Sequence, residues 1–191
     1  MSIALVIGGS ILNLAGTAYY IWNTLKGITK PNRVTWLMWS IAPMIGTAAA
    51  LVSGVTWATL PVFMAGFCPF LVFLASFVNP NAYWQLGRFD YVCGVLSALA
   101  LVLWYITGNP VTAIVFAILA DGLAAVPTLV KAWKYPETET ATGFITSGIN
   151  SSTSFFVIPR WEFAFYAFPL YLVIANIVLT FAVLRRNPAV R

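Results

Sequence analysis

Residues Ala120 to Phe155 read ADGLAAVPTLVKAWKYPETETATGFITSGINSSTSF. Asp121 is the single carboxylate set deep inside a long apolar run, and Pro127-Thr128 follows it on the same run. A short charged turn from Lys131 to Glu139 leads into a second apolar segment crowded with hydroxyls, from Thr140 and Thr142 to Ser151, Ser152 and Thr153. An ionisable side chain at membrane depth costs ~2.5–3.5 kcal/mol on insertion scales, so it is kept for a function and faces the protein interior. The stretch predicts two consecutive spanning helices that carry a polar seam, with the rest of the chain as scaffold.

The composition agrees. Soluble domains carry roughly 25% charged residues, whereas 8% of these 191 residues are charged and 61% are hydrophobic, with a mean hydropathy of +0.89. The net charge of +5 is no nucleic-acid footprint, because the basic residues sit at helix ends rather than on one soluble face. With no histidine and five carboxylates, the chain offers no metal site, no cofactor site and no acid–base pair for an enzyme. Cys68 and Cys93 lie in or beside apolar segments and read as small core residues. The amino-terminal MSIALVIGGSILNLAG lacks a basic leader and a small-residue cleavage site, and reads as the first spanning helix.

A span needs about 20 mostly apolar residues. That criterion predicts an all-α integral membrane protein with seven spans, at 3–25, 34–53, 56–78, 90–107, 110–132, 140–158 and 162–184. Seven spans place Lys26, Lys30, Arg33, Arg88, Lys131, Lys134, Arg185, Arg186 and Arg191 on one side and Arg160 on the other. The positive-inside rule then puts the amino terminus outside and the carboxyl terminus in the cytoplasm. Lys26, Pro31 and Thr35 recur as Lys131, Pro136 and Thr140 (131 − 26 = 105), and the same shift carries spans 1–3 onto spans 5–7. Two units of that kind point the same way only if one extra helix reverses the chain between them. The expected organisation is a first three-helix repeat at 3–78, a linker helix with its loops at 79–109, a second repeat at 110–184 and a tail at 185–191. This is a 3+1+3 parallel repeat.

This pattern, with Pro127-Thr128 followed by Lys131 at the end of the fifth span, resembles the SWEET and PQ-loop transporter superfamily, in its bacterial seven-helix form. The resemblance implies a multi-pass carrier of the bacterial inner (plasma) membrane that works by alternating access around a midplane site, as a facilitator or a proton-coupled carrier. Pro43 and Pro127 stand where that family has hinge prolines, while Trp22 and Gly148 occupy the other two hinge positions. Of the sugar carriers' paired asparagines only Asn176 is present, with Leu71 opposite it, which weighs against a sugar as the solute.

Depth identifies the candidate site without the family. At ~1.5 Å per residue, Asn13, Asp121, Asn150 and Asn176 fall within about one turn of the midpoints of their spans. Polar groups at one depth on several helices point to a shared substrate site; the alternative is that each amide glues two helices for ~0.6 kcal/mol. Ser151 beside Asn150 joins the candidates. Trp36 and Trp39 share a face of the second span; Trp36 fits an interfacial belt, and the deeper Trp39 fits a pocket wall. A carboxyl in that setting either carries a proton or holds a cationic or hydroxyl-rich solute. The expected partners are a small polar solute and membrane lipid, with no nucleic acid. The rival reading is a non-transporting receptor or scaffold on the same fold.

The distribution of basic residues makes orientation testable. A fluorescent-protein fusion after Arg191 is expected to fluoresce, and a periplasmic phosphatase fused there to be inactive; the opposite pattern overturns both the orientation and the seven-span count.

Overall fold

The computed structural model describes residues 2–53, 57, 59–107, 110–158 and 160–185, all of them in helices, turns and connections without a strand. The described residues form seven α-helices: α1 (Ser2–Leu25), α2 (Arg33–Ser53), α3 (Thr59–Ala75), α4 (Arg88–Ile106), α5 (Pro110–Lys134), α6 (Ala141–Thr153) and α7 (Phe163–Leu184). Short 3₁₀ turns at Pro136–Thr138 and Ser154–Phe156 flank α6. Residues 186–191 of the expected tail, and residues 54–56 and 58 beside the third span, lie outside the described residues.

Four of the helices are long and apolar enough to cross a membrane, at Ile3–Leu25, Arg88–Ile106, Val111–Lys134 and Phe165–Leu184. Two expected spans come out shorter. The third is helical over Thr59–Ala75, and Ser76 to Val78 continue it as hydrogen-bonded turns. The sixth is α-helical for 13 residues, about 20 Å against a hydrocarbon core of ~30 Å. Its composition explains the shortfall. Thr146, Ser151, Ser152 and Thr153 turn their hydroxyls back onto carbonyls three or four residues earlier, a habit that loosens helices. The segment then tightens into the 3₁₀ turn.

The partition of side chains is the reverse of a soluble protein's. The interior holds Asn13, Thr17, Thr128, Asn150, Ser151 and Asn176, each less than a tenth exposed, while Val95, Leu99, Val102 and Tyr105 of α4 are more than half exposed. In water, exposed large apolar surface of that extent is unfavourable. In lipid it is the natural outside, and polar groups must find partners within the protein. The fold fits a membrane protein.

Helix packing follows the small residues. α3 lies against both α1 and α2, α7 lies against both α5 and α6, and the two groups meet where α1 packs on α6 and α2 on α5. α4 rests on α5 and α2. At the centre Tyr20, Trp36, Val72, Phe144 and Leu179 form the apolar core. α1 approaches α6 through Gly9 and Gly16: a methyl group built on Gly16 would stand 2.1 Å from Thr146 Oγ1, and one on Gly9 would stand 2.6 Å from Thr153 Cγ2. Small residues at such crossings let helix backbones come together where lipid supplies no hydrophobic drive. Pro43, Pro69, Pro127 and Pro169 each sit inside a helix that continues past them.

This packing separates two glycines that look alike in sequence. Gly16→Ala is expected to lower the melting temperature of the purified protein, with an overpacking cost of about 1–3 kcal/mol. Gly8→Ala, where nothing lies within 4 Å of the added carbon, is expected to melt like wild type to within about 0.5 kcal/mol. Equal melting of the two variants would contradict the close α1–α6 approach.

Candidate functional site

Asp121 is held in place by its backbone. Three side chains from neighbouring helices bond to carbonyls of α5: Thr35 Oγ1 to Ala124 O at 2.7 Å, Trp39 Nε1 to Asp121 O at 3.3 Å and Ser97 Oγ to Ala120 O at 2.6 Å. α2 and α4 thus fix α5 from two sides. The Asp121 side chain reaches the other way, and its Oδ2 accepts a hydrogen bond of 2.8 Å from the Tyr171 hydroxyl of α7.

Asp121 opens onto a cavity between the two groups of helices. Asn13, Trp39, Pro43, Asp121 and Asn176, all singled out by the sequence, line it together. Its volume is about 60 Å³, room for several waters at ~10–15 Å³ apiece. Two other candidates lie elsewhere. Asn150 is buried between α6 and α1, where its Oδ1 accepts from Ser10 Oγ at 3.3 Å, and Ser151 bonds to Ser147 O within α6. Neither lines the cavity. Pro127 is buried within α5, close to Thr128, whose hydroxyl is fully buried without a partner.

Several lining residues had not been singled out, among them Thr17, Cys68 and Tyr20. Tyr171, which bonds Asp121, had not been singled out either; it lies near the middle of α7, and a depth criterion widened to tyrosine would have found it. Trp36 is a correction of another kind. It was expected in an interfacial belt, yet it is 6% exposed and lies in the core. Its ring is near-parallel to Phe144 with centroids 6.2 Å apart, 4.9 Å from Tyr20, and edge-on to Trp39 at 5.2 Å. These aromatics line the cavity on the side of the α1–α2 and α5–α6 connections.

Behind that layer is a polar seal. Glu139, just before α6, accepts from the Tyr20 hydroxyl at 2.5 Å and pairs with Lys131 Nζ at 2.6 Å. Lys131 also donates to the carbonyl of Lys30 and stands 5.3 Å over the Trp84 ring. The Thr29 and Thr140 hydroxyls bond to each other, and Lys30 N donates to Thr138 O at 2.9 Å. The two ends of the turn read in sequence as a charged connection are therefore folded into the protein, with both charges of the Lys131–Glu139 pair out of water, while Lys134 and Glu137 between them stay exposed.

Removing one partner of a buried pair strands the other charge, at about 3–5 kcal/mol. Glu139→Leu is expected to lower the melting temperature sharply. The double variant Lys131→Met/Glu139→Leu is expected to melt above that single variant, because no uncompensated ion remains. A double variant as unstable as the sum of both singles would mean that the pair acts through something other than mutual neutralisation.

No family model, no curated protein and no solved structure matches the chain.

Proposed function

We propose that this chain is a membrane transporter for a small polar solute, a facilitator or proton-coupled carrier, which moves its cargo by alternating access around the Asp121 cavity. The observation that carries the reading is a cavity between two groups of helices that holds a mid-helix carboxylate, with aromatic rings in its wall and a buried ion pair beside the Tyr20 ring. A carboxylate in the middle of a span is costly and is by default a functional group, which favours a carrier over a scaffold.

The reading includes the SWEET-like architecture of two parallel three-helix repeats, at 3–78 and 110–184, with a linker helix between them. Helix pairing supports it. Exchanging α1, α2 and α3 for α5, α6 and α7 turns α1–α3 into α5–α7, α2–α3 into α6–α7 and α1–α6 into α5–α2, and all of these pairs are in contact. A carrier with that symmetry hinges one group against the other, and the interior prolines Pro43 and Pro127 leave bendable points in α2 and α5. The distribution of basic residues supports a cytoplasmic position for the end that carries the Lys131–Glu139 pair, in a bacterial plasma membrane.

Cys68 lines the cavity and Cys93 lies on α4 away from it, so a Cys93→Ser protein carries one reporter thiol. In proteoliposomes, an impermeant maleimide is expected to label Cys68 slowly when added on either side. Glu139→Gln is expected to raise labelling from the sealed side. Labelling from one side only, in both proteins, together with no uptake of any small polar solute, would replace the carrier by a receptor.

A further inference from the structure

Several polar groups around the cavity are oxygen acceptors without a protein partner, and one donor at the wall, Trp36 Nε1, is likewise unpaired. Asn176 donates its Nδ2 to Leu172 O at 2.8 Å, and because only the amide nitrogen is a donor, its Oδ1 is left as a free acceptor. Asp121 engages Tyr171 through Oδ2, leaving Oδ1 without a hydrogen bond. Asn13 is 1% exposed, and among the described residues its amide makes no hydrogen bond to protein. All three line the same space. The Tyr20 hydroxyl, a donor at the wall, is already given to Glu139.

Among the described residues no lysine or arginine lines the cavity. Two basic groups on the helices that line it are committed elsewhere, Lys131 to Glu139 and Lys30 O, and Arg33 to Ser76 O at 2.7 Å. The Asp121 carboxylate thus has no cation of the protein opposite it, and when ionised it carries a cost of several kcal/mol without a counter-ion. An ammonium group removes that cost and brings up to three donors to oxygen acceptors. The walls suit the rest of such a molecule. Trp39 and Trp36 present indole surface, the aromatic face that attracts cations best. A hydroxyl solute supplies donors but leaves the charge unbalanced, and a proton alone leaves the amide oxygens unused.

We infer that the cavity takes a small protonated amine, its ammonium on Asp121 with the amide oxygens of Asn13 and Asn176, and its carbon skeleton against Trp39. This deepens the transport reading by naming its solute class and rests on the same cavity. The volume limits the cargo to a few heavy atoms unless the walls move.

Ethanolamine and ethylene glycol are matched probes, differing by an ammonium in place of a hydroxyl. With the full chain purified in detergent at fixed ionic strength and neutral pH, ethanolamine is expected to raise the melting temperature and to bind at least about tenfold more tightly than ethylene glycol. Asp121→Asn is expected to lose at least about tenfold of the ethanolamine affinity while melting near wild type without ligand. The wild-type comparison decides the matter even if that variant does not fold. Equal binding of the two probes, equal stabilisation by sodium in place of the amine, no ethanolamine binding, or full affinity in a folded Asp121→Asn overturns the inference. Uptake into proteoliposomes separates the two readings: a neutral solute carried while the amine does not bind removes the amine and leaves the carrier. An amine that binds but is never carried leaves the cation site and removes the carrier.

Discussion

The ammonium group of Lys131 is buried beside the Glu139 carboxylate at 2.6 Å, and the sealed end of the bundle depends on that pair. Through it meet α5, which carries Lys131, the connection ahead of α6, which carries Glu139, α1 through Tyr20, and the α1–α2 connection through the Lys30 carbonyl. No member can leave alone without stranding a charge or a hydroxyl in a low-dielectric interior. The four segments are therefore expected to hold or release as a unit, and a two-state element of that sort is what a gate requires.

The same rule runs through the interior. A helix bundle whose outside is valine, leucine and tyrosine must satisfy its polar groups from within. α6 does so with its own carbonyls, and is short and tightened as a result. α5 does so with side chains borrowed from α2 and α4. That arrangement holds the backbone at Asp121 while leaving one carboxylate oxygen without a protein partner. Rigid support around an incompletely satisfied group is what the proposed solute site requires.

Much of the candidate site was legible from depth alone. A polar residue near the middle of a span has to be deep, whatever its neighbours, and Asn13, Asp121, Asn176 and Trp39 indeed share one cavity. Depth carries no information about direction around the helix axis, however. Asn150 and Ser151 lie at comparable depth, but α6 turns them toward α1 and its own carbonyls. Which way a helix faces is set by what packs against it, here the Gly9 and Gly16 notches that receive Thr153 and Thr146.

The chain's composition and hydropathy determined by themselves that it is helical and suited to lipid, because 20-residue apolar runs have no other stable form in a bilayer. They also located the one carboxylate near the middle of a span. Only the tertiary structure decided that Trp36 is core rather than belt, that Tyr171 partners Asp121, and that Lys131 and Glu139 form a buried pair. Each of these rests on a contact between residues distant in sequence or on the direction a side chain takes. A one-dimensional pattern fixes the depth of a group; its partner is fixed by the rotation and closeness of helices, which only packing sets.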